Sequence, residues 1–134
     1  MFDILDTGAS GLMAQRIRLD TIAGNIANIN TTRDADGKND PYRRRFVVLA
    51  PGRADDPSLP GVHVQQVGID PSPLIRRYEP GNPEADKEGY VSYPNIDLSI
   101  EYVNALEASR AYEANVTIMD TAKSMFTSSL RLLA

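Results

Sequence analysis

The 134-residue chain contains no cysteine and no tryptophan, and it has a single histidine. Without cysteine it can form neither a disulfide framework nor a thiolate metal site, and it has no thiol nucleophile. The one histidine, His63, cannot supply a catalytic triad or a histidine-rich metal site, and we expect it to face solvent from a strand. These absences predict that the chain binds no metal and no cofactor.

The chain also lacks an excess of basic charge and a long apolar run. Fourteen Lys and Arg residues face eighteen Asp and Glu residues, for a net charge of -4. No segment has the basic excess that binding to a phosphate backbone requires, so we expect no nucleic-acid partner, and the run Arg43–Arg45 favours an interface or solvated role. No stretch approaches the roughly 20 apolar residues of a membrane span, and no cleavable secretory signal is present. We expect no membrane insertion, and any export would proceed without signal cleavage.

Proline and glycine are absent after Pro94, and all nine prolines lie between Pro41 and Pro94. Proline breaks helices and glycine destabilises them, so this absence predicts an uninterrupted C-terminal helix. Asp97 or Ser99 is a suitable N-cap for it. The second half of the chain therefore ends in a helix that is long for a globular domain.

A second long helix is predicted at the other end, from about Ile4 to Ile29, with Asp3 or Asp6 as its N-cap. Its apolar residues recur every seven positions, as in helices that pack lengthwise on a partner. These residues are Leu5, Leu12, Leu19 and Ile26.

The middle of the chain alternates turn residues with short runs that suit strands. Predicted strands are Arg45–Leu49, Val62–Ile69 with a bulge at Gln65–Gln66, Leu74–Tyr78 and an extended segment Tyr90–Ile96. The fold class is therefore α+β. We expect long terminal helices at residues 1–30 and 96–134 to pack as a coiled-coil-like pair, and residues 31–95 to form a loop-rich middle with small β elements.

Polar and small residues on the helix faces mark an assembly interface. A buried or half-buried asparagine at a helix seam fixes register, and alanines at every third position let another helix approach closely. An ordinary antiparallel helix pair would show the same pattern. The predicted interface residues are Leu12, Leu19, Ile22, Asn25, Ile26, Asn28, Ala108, Arg110, Ala111, Tyr112, Asn115, Val116 and Leu130.

Two other functions fit parts of the sequence. Glu84, Asp86 and Glu88 could supply the paired carboxylates of a small hydrolase acting on cell-wall glycan, although their Pro/Gly-rich surroundings favour solvated turn charges. The terminal helices could also form a soluble homodimeric adaptor. We favour neither, and we expect no catalytic residue.

Several segments resemble one known family in the right order. Residues 23–32, Ala-Gly-Asn-Ile-Ala-Asn-Ile-Asn-Thr-Thr, are similar to the N-terminal signature of bacterial flagellar axial proteins, which build the rod and hook. Residues 107–115, Glu-Ala-Ser-Arg-Ala-Tyr-Glu-Ala-Asn, resemble the C-terminal signature of the proximal rod members. Residues 41–44, 78–86 and 88–95 resemble the same proteins. Gly24 and Asn82 depart from the family pattern, which commonly has asparagine and histidine there.

The resemblance implies a structural subunit of the flagellar rod in the periplasm and no enzymatic activity. It implies assembly with copies of itself and with neighbouring rod, distal rod and basal-body adaptor proteins into a hollow drive shaft. It also implies delivery by the flagellar type III export apparatus. The long ends should order fully only when neighbours bury their apolar faces, because burial of one apolar stripe does not offset the backbone entropy that a helix loses.

Overall fold

The computed structural model describes residues 2–134, which form two long helices and four short strands. The predicted α+β class is confirmed. In chain order the elements are α1 (Phe2–Ala27), β1 (Arg45–Pro51), β2 (Val62–Ile69), β3 (Ile75–Tyr78), β4 (Tyr90–Tyr93) and α2 (Leu98–Leu133).

Helix α2 begins where the sequence predicted. The Asp97 side chain caps it, because Oδ1 accepts hydrogen bonds from the N–H groups of Ser99 at 2.9 Å and Ile100 at 3.3 Å. The helix then runs unbroken for 36 residues, a length of about 54 Å at the usual rise.

Helix α1 begins earlier than predicted. It already includes Phe2, so Asp3 and Asp6 lie inside the helix and the prediction that either residue is the N-cap was wrong. Asp3 instead places a negative charge in the first turn, which the helix dipole favours. The other end is set by Asn28, whose Nδ2 donates to the Gly24 carbonyl at 2.8 Å and so satisfies a carbonyl of the last turn.

The strands form two antiparallel hairpins. β1 pairs with β2 from Arg45 opposite Ile69 to Pro51 opposite Val62, and the register shifts between Val48 and Leu49 because Gln65 has no partner. This is the predicted bulge, and it is confirmed. β3 pairs with β4 in a second sheet.

The two helices pack antiparallel. Gly8 lies opposite Met119, Gly11 opposite Asn115 and Arg18 opposite Glu107, while Asn25 meets Glu101. Phe2 therefore lies near position 124, and α2 continues past α1 for about nine residues, roughly 14 Å. The coiled-coil character of the pair stays a prediction.

The β1–β2 hairpin lies along α1 and is fastened to it at both ends. Ser10 Oγ accepts the Val62 N–H at 3.1 Å at one end, and Asn25 bonds to Arg45 at the other. Ser10 and Asn25 are about 22 Å apart along a helix. Strand β1 spans about 20 Å, so strand and helix segment match in length.

The prediction that His63 faces solvent was wrong, because this residue of β2 is half-buried. Its Nδ1 lies 2.9 Å from the Gly52 carbonyl oxygen, and since a carbonyl only accepts, Nδ1 is the donor.

Candidate assembly interface

Small residues bring α1 and α2 close together. A methyl group on Gly8 would lie 2.6 Å from Met119 Cγ, and one on Gly11 would lie 2.7 Å from Asn115 Nδ2. These distances are far below ordinary carbon contacts of about 3.5–4.0 Å, so α2 passes directly over both glycines. Ala108 lies further along the same face of α2 and has no exposed surface. The helix that approaches the alanine face is therefore α1 of the same chain.

The buried side chain of Asn25 joins α1 to the start of β1. Its Oδ1 accepts hydrogen bonds from the Arg45 N–H at 2.9 Å and the Tyr42 hydroxyl at 3.2 Å. Its Nδ2 donates to the Arg45 carbonyl at 2.8 Å and to Glu101 Oε2 at 3.2 Å. The amide thus meets both main-chain polar groups of one residue, as a neighbouring strand would. Because it is fully bonded, it fixes the register of β1 along α1.

Glu101 is the charged residue that the sequence analysis missed. It has no exposed surface, and its Oε1 accepts a hydrogen bond from Arg44 Nε in an ion pair. Arg44 Nη1 also lies 3.8 Å from Asp70 Oδ2, just after β2. The sequence did hold one signal, because Glu101 precedes Ala108 by seven residues and so places a charge on the alanine face of α2.

The segment after α1 is held by polar contacts of its own. Thr31 Oγ1 donates to Asn28 Oδ1 at 3.1 Å, and the next two side chains, Thr32 and Arg33, both bond to the Glu84 carboxylate. The hydrogen bonds of Asn28 therefore lie within the end of α1. Glu84 connects the loop before β4 to that end.

The predicted interface residues differ in how far the chain itself buries them. Those inside the pair contact their own chain, and those outside are open to a neighbour, so their part in assembly stays a prediction. The buried ones are Ile22, Asn25 and Ala108, the half-buried ones are Leu12, Leu19, Ile26, Asn28, Ala111 and Asn115, and the exposed ones are Arg110, Tyr112, Val116 and Leu130.

The predicted seven-residue stripe of α1 is not its most buried line. Leu5, Leu12, Leu19 and Ile26 are all half-buried, whereas the fully buried positions on α1 are mostly small residues. These positions are Gly8, Gly11, Ala14, Ile22 and Asn25. The larger side chains flank the line of closest approach and keep surface for further contacts.

The chain exposes more surface than a compact protein of its mass. Its accessible surface is 9101 Å², whereas a folded monomer of 14.7 kDa has about 6,900 Å². Among residues 2–134, 23 large apolar side chains are exposed, and thirteen of them lie on α2. The excess of about 2,200 Å² exceeds the roughly 800 Å² that each partner contributes to a standard protein interface.

A groove of about 420 Å³ adds a second apolar surface, between α1 and the β1–β2 hairpin. Met13, Ile17 and Val64 are among its apolar lining residues, and Arg53 is one of its charged ones. Arg53 pairs with Asp6 at 3.2 Å and with a neighbouring aspartate, so its charge is compensated within the chain.

Two family models match the helical ends of the chain. One is described as "Flagella basal body rod protein" and matches residues 5–33, which cover most of α1 and the turn after it. The other is described as "Flagellar basal body rod FlgEFG protein C-terminal" and matches residues 87–132, which cover β4 and nearly all of α2.

Curated relatives match along nearly the whole chain, and each is named flagellar basal-body rod protein FlgC. The protein of Borreliella burgdorferi is 41% identical, over 99% of this chain and 97% of the relative. Those of Escherichia coli and Bacillus subtilis are 42% and 37% identical, over 98% of this chain and 97% of each relative. The chain belongs to the FlgC family.

Membership in the FlgC family makes the chain a structural subunit of the flagellar basal-body rod. The segments that the family models match are the antiparallel helices and their flanks, whereas the whole β1–β2 hairpin lies between them. Asn25 falls within one matched segment and Glu101 within the other. The hydrogen bond between them lies at the base of the helix pair, where α1 ends and α2 begins, and it joins the two segments.

Glu84 and Asp86, two of the carboxylates considered for glycan hydrolysis, do not have the environment of a general acid. Hydrogen bonds from Thr32 and Arg33 lower the pKa of Glu84, and the Tyr90 N–H and the Arg76 guanidinium lower the pKa of Asp86. A general acid near neutral pH needs the opposite shift. The FlgC relatives are likewise rod proteins by name.

The run Arg43–Arg45 is divided among three roles. Arg44 forms the ion pair with the buried Glu101, Arg43 donates to the Ser72 carbonyl at 3.4 Å, and Arg45 lies over the Tyr42 ring. Within residues 2–134, no three potential ligand side chains converge on a metal position. Neither helix in that range combines the length and apolar character of a membrane span.

Proposed function

We propose that this rod subunit assembles through the outward faces of α1 and α2, with copies of itself and with other rod proteins as neighbours. The observation that carries the proposal is the apolar surface of α2, most of which no other part of the chain covers. Apolar surface of this extent on one helix is typical of a protein–protein interface.

One stripe of α2 supports the proposal most directly. Val103, Ala114, Ile118 and Met125 are spaced by 11, 4 and 7 residues, which keeps them on one side of a helix. The three large ones are 52–66% exposed. The charged residue on this side is Glu107, which pairs with Arg18 of α1. Thr117 lies one position from Ile118, in the adjoining polar sector of the helix, so a polar surface borders the stripe.

The end of α2 provides a second surface. Past the start of α1, the face that contacts α1 continues with Phe126, Leu130 and Leu133, all of them exposed. These residues are four and three positions apart and therefore remain on one face. A neighbouring helix that continues the line of α1 would cover them, and the exposed predicted contacts Tyr112 and Val116 lie beside the same line.

The same proposal extends to the place and work of the subunit. The assembled rod would cross the periplasm as a hollow shaft that transmits torque and lets later subunits pass. Subunits would reach it through the flagellar type III export apparatus without a cleaved signal. Membership in the FlgC family supports these points, and so does a chain that leaves much apolar surface for its neighbours to bury.

Substitution of the exposed stripe tests the proposal. Ile118→Asp places a charge on a surface that is open in the isolated subunit but buried in an assembled rod. We expect the purified variant to unfold within about 0.5 kcal/mol of wild type, as surface changes usually do. In a strain whose own copy of the gene is deleted, we expect the variant to be exported but not to restore swimming.

Thr117→Asp is the matched control, since it introduces the same residue one position away, in the polar sector. We expect it to swim normally. Normal swimming with Ile118→Asp would show that the stripe faces solvent in the rod, and equal loss with both variants would show that the stripe is not the surface in use.

A further inference from the structure

Three separate parts of the chain meet at one buried carboxylate. Glu101 lies in the first turn of α2, Asn25 lies near the end of α1, and Arg44 comes just before β1. One oxygen of Glu101 accepts from Arg44 and the other accepts from Asn25. We infer that these three residues form a folding joint, through which the base of the α1–α2 pair is stable only while the β1–β2 hairpin is docked on it.

The buried carboxylate of Glu101 depends on Arg44 for a compensating charge, which supports this inference. Burial of an ionised carboxylate is strongly unfavourable unless a cation pairs with it. Among residues 2–134, Arg44 is the cation that pairs with Glu101. Asn25 adds a neutral donor at 3.2 Å but no charge. Loss of Arg44 from this position would therefore leave a buried negative charge between the two helices.

The hairpin, in turn, holds Arg44 in place. Asp70 follows β2, and its N–H donates to the Arg44 carbonyl at 2.8 Å while its carboxylate lies 3.8 Å from Arg44 Nη1. On the other side, Asn25 holds both main-chain groups of the next residue, Arg45. Undocking of the hairpin would remove the cation from Glu101 and the main-chain partners from Asn25 together.

The joint has a consequence for the rod. The β1–β2 hairpin and the helix pair must move as one body at this point, because any rotation between them separates Arg44 from the buried carboxylate of Glu101. The distal ends of the helices lie far from the joint and stay free to adjust to neighbours. The joint lies within a single subunit and does not depend on which partners surround it.

Amide hydrogen exchange on the purified full-length protein tests the joint. Arg44→Met removes the cation and retains an apolar stem. Breaking a buried pair by removing one partner is strongly destabilising, so we expect about 100-fold faster exchange in residues 22–27 and 102–108 as well as in β1. Arg76→Met is the matched control, since its pairs with Asp86 and Glu88 are exposed, and it should leave these helix segments unchanged.

If only β1 exchanges faster in Arg44→Met while both helix segments keep their protection, the hairpin and the helices are independent and the inference is wrong. A second variant covers the case in which Arg44→Met fails to fold. In Arg44→Met/Glu101→Gln no buried charge remains, so we expect protection of the helix segments to recover at least about tenfold relative to Arg44→Met. A double variant that exchanges as fast as, or is as unfolded as, the single variant would overturn the inference.

Discussion

Two glycines in α1 provide a sharp test of how the helices pack, because the same substitution should have opposite effects at the two sites. Replacement of a helical glycine by alanine stabilises a helix by about 1 kcal/mol when the methyl group finds space. At Gly24 the methyl group would lie 3.7 Å from the Tyr42 hydroxyl oxygen, an ordinary contact. We therefore expect Gly24→Ala to stabilise the protein by about 1 kcal/mol.

At Gly8 the same methyl group would lie 2.6 Å from Met119 Cγ and 3.1 Å from its Sδ. The Cγ atom is too close to the main chain of α2 to move freely, so the helices must separate or the side chain must leave its rotamer. Overpacking of this kind costs about 1–3 kcal/mol. After the gain in helix propensity, we expect Gly8→Ala to destabilise the protein by about 1 kcal/mol.

Urea unfolding followed by helical circular dichroism measures both effects, with the two variants and the wild type compared at one protein concentration. The midpoint should rise for Gly24→Ala and fall for Gly8→Ala. If Gly8→Ala were as stable as Gly24→Ala, α2 would not pass over Gly8, and the antiparallel register with Met119 opposite would be incorrect.

Two further substitutions examine the interior of the pair and the second hairpin. Ala108→Leu adds three carbons at a position without exposed surface, so it should lower the free energy of unfolding in urea by about 1–3 kcal/mol. It should also abolish swimming. An unchanged urea midpoint would contradict the packing of Ala108 against α1. The Tyr90 N–H, 2.9 Å away, lowers the pKa of Asp86, so the carboxylate contributes stability above its unfolded pKa that is lost as pH falls through the lower folded pKa. Wild type should therefore lose stability between about pH 5 and pH 2 more steeply than Asp86→Asn, and parallel curves would contradict that contribution.

Local rules were sufficient for the outline of the fold. The absence of proline and glycine after Pro94 together with the cap at Asp97 predicted α2, because both act within a few residues of the chain. The slip in apolar phase at Gln65 predicted the bulge in β2 for the same reason. The start of α1 was misplaced because acidic residues suit both the cap and the first turn.

The candidate site depends on contacts between residues that are distant in sequence, and these were not predictable. Asn25 was expected at a helix seam with an unspecified partner, and its partners are the main chain of Arg45 and the carboxylate of Glu101. Arg44 read as one of three similar arginines, although it alone of the three pairs with a fully buried acid. Periodicity identifies a face, but only the packed chain decides which polar groups on that face meet.

The distribution of polar and apolar contacts along α2 bears on how one subunit can fit several neighbours. At the base of the pair, directional hydrogen bonds from Asn25 and Glu101 fix one register, because a displaced buried donor or acceptor would lose its partner. Toward the other end, Gly8 lies against the Met119 side chain, and α2 ends in the exposed apolar residues Phe126 and Leu130. Apolar contacts tolerate small shifts since they are not directional. A subunit built in this way keeps its internal geometry while its distal helix surface adapts to different surroundings, as successive positions in a rod require.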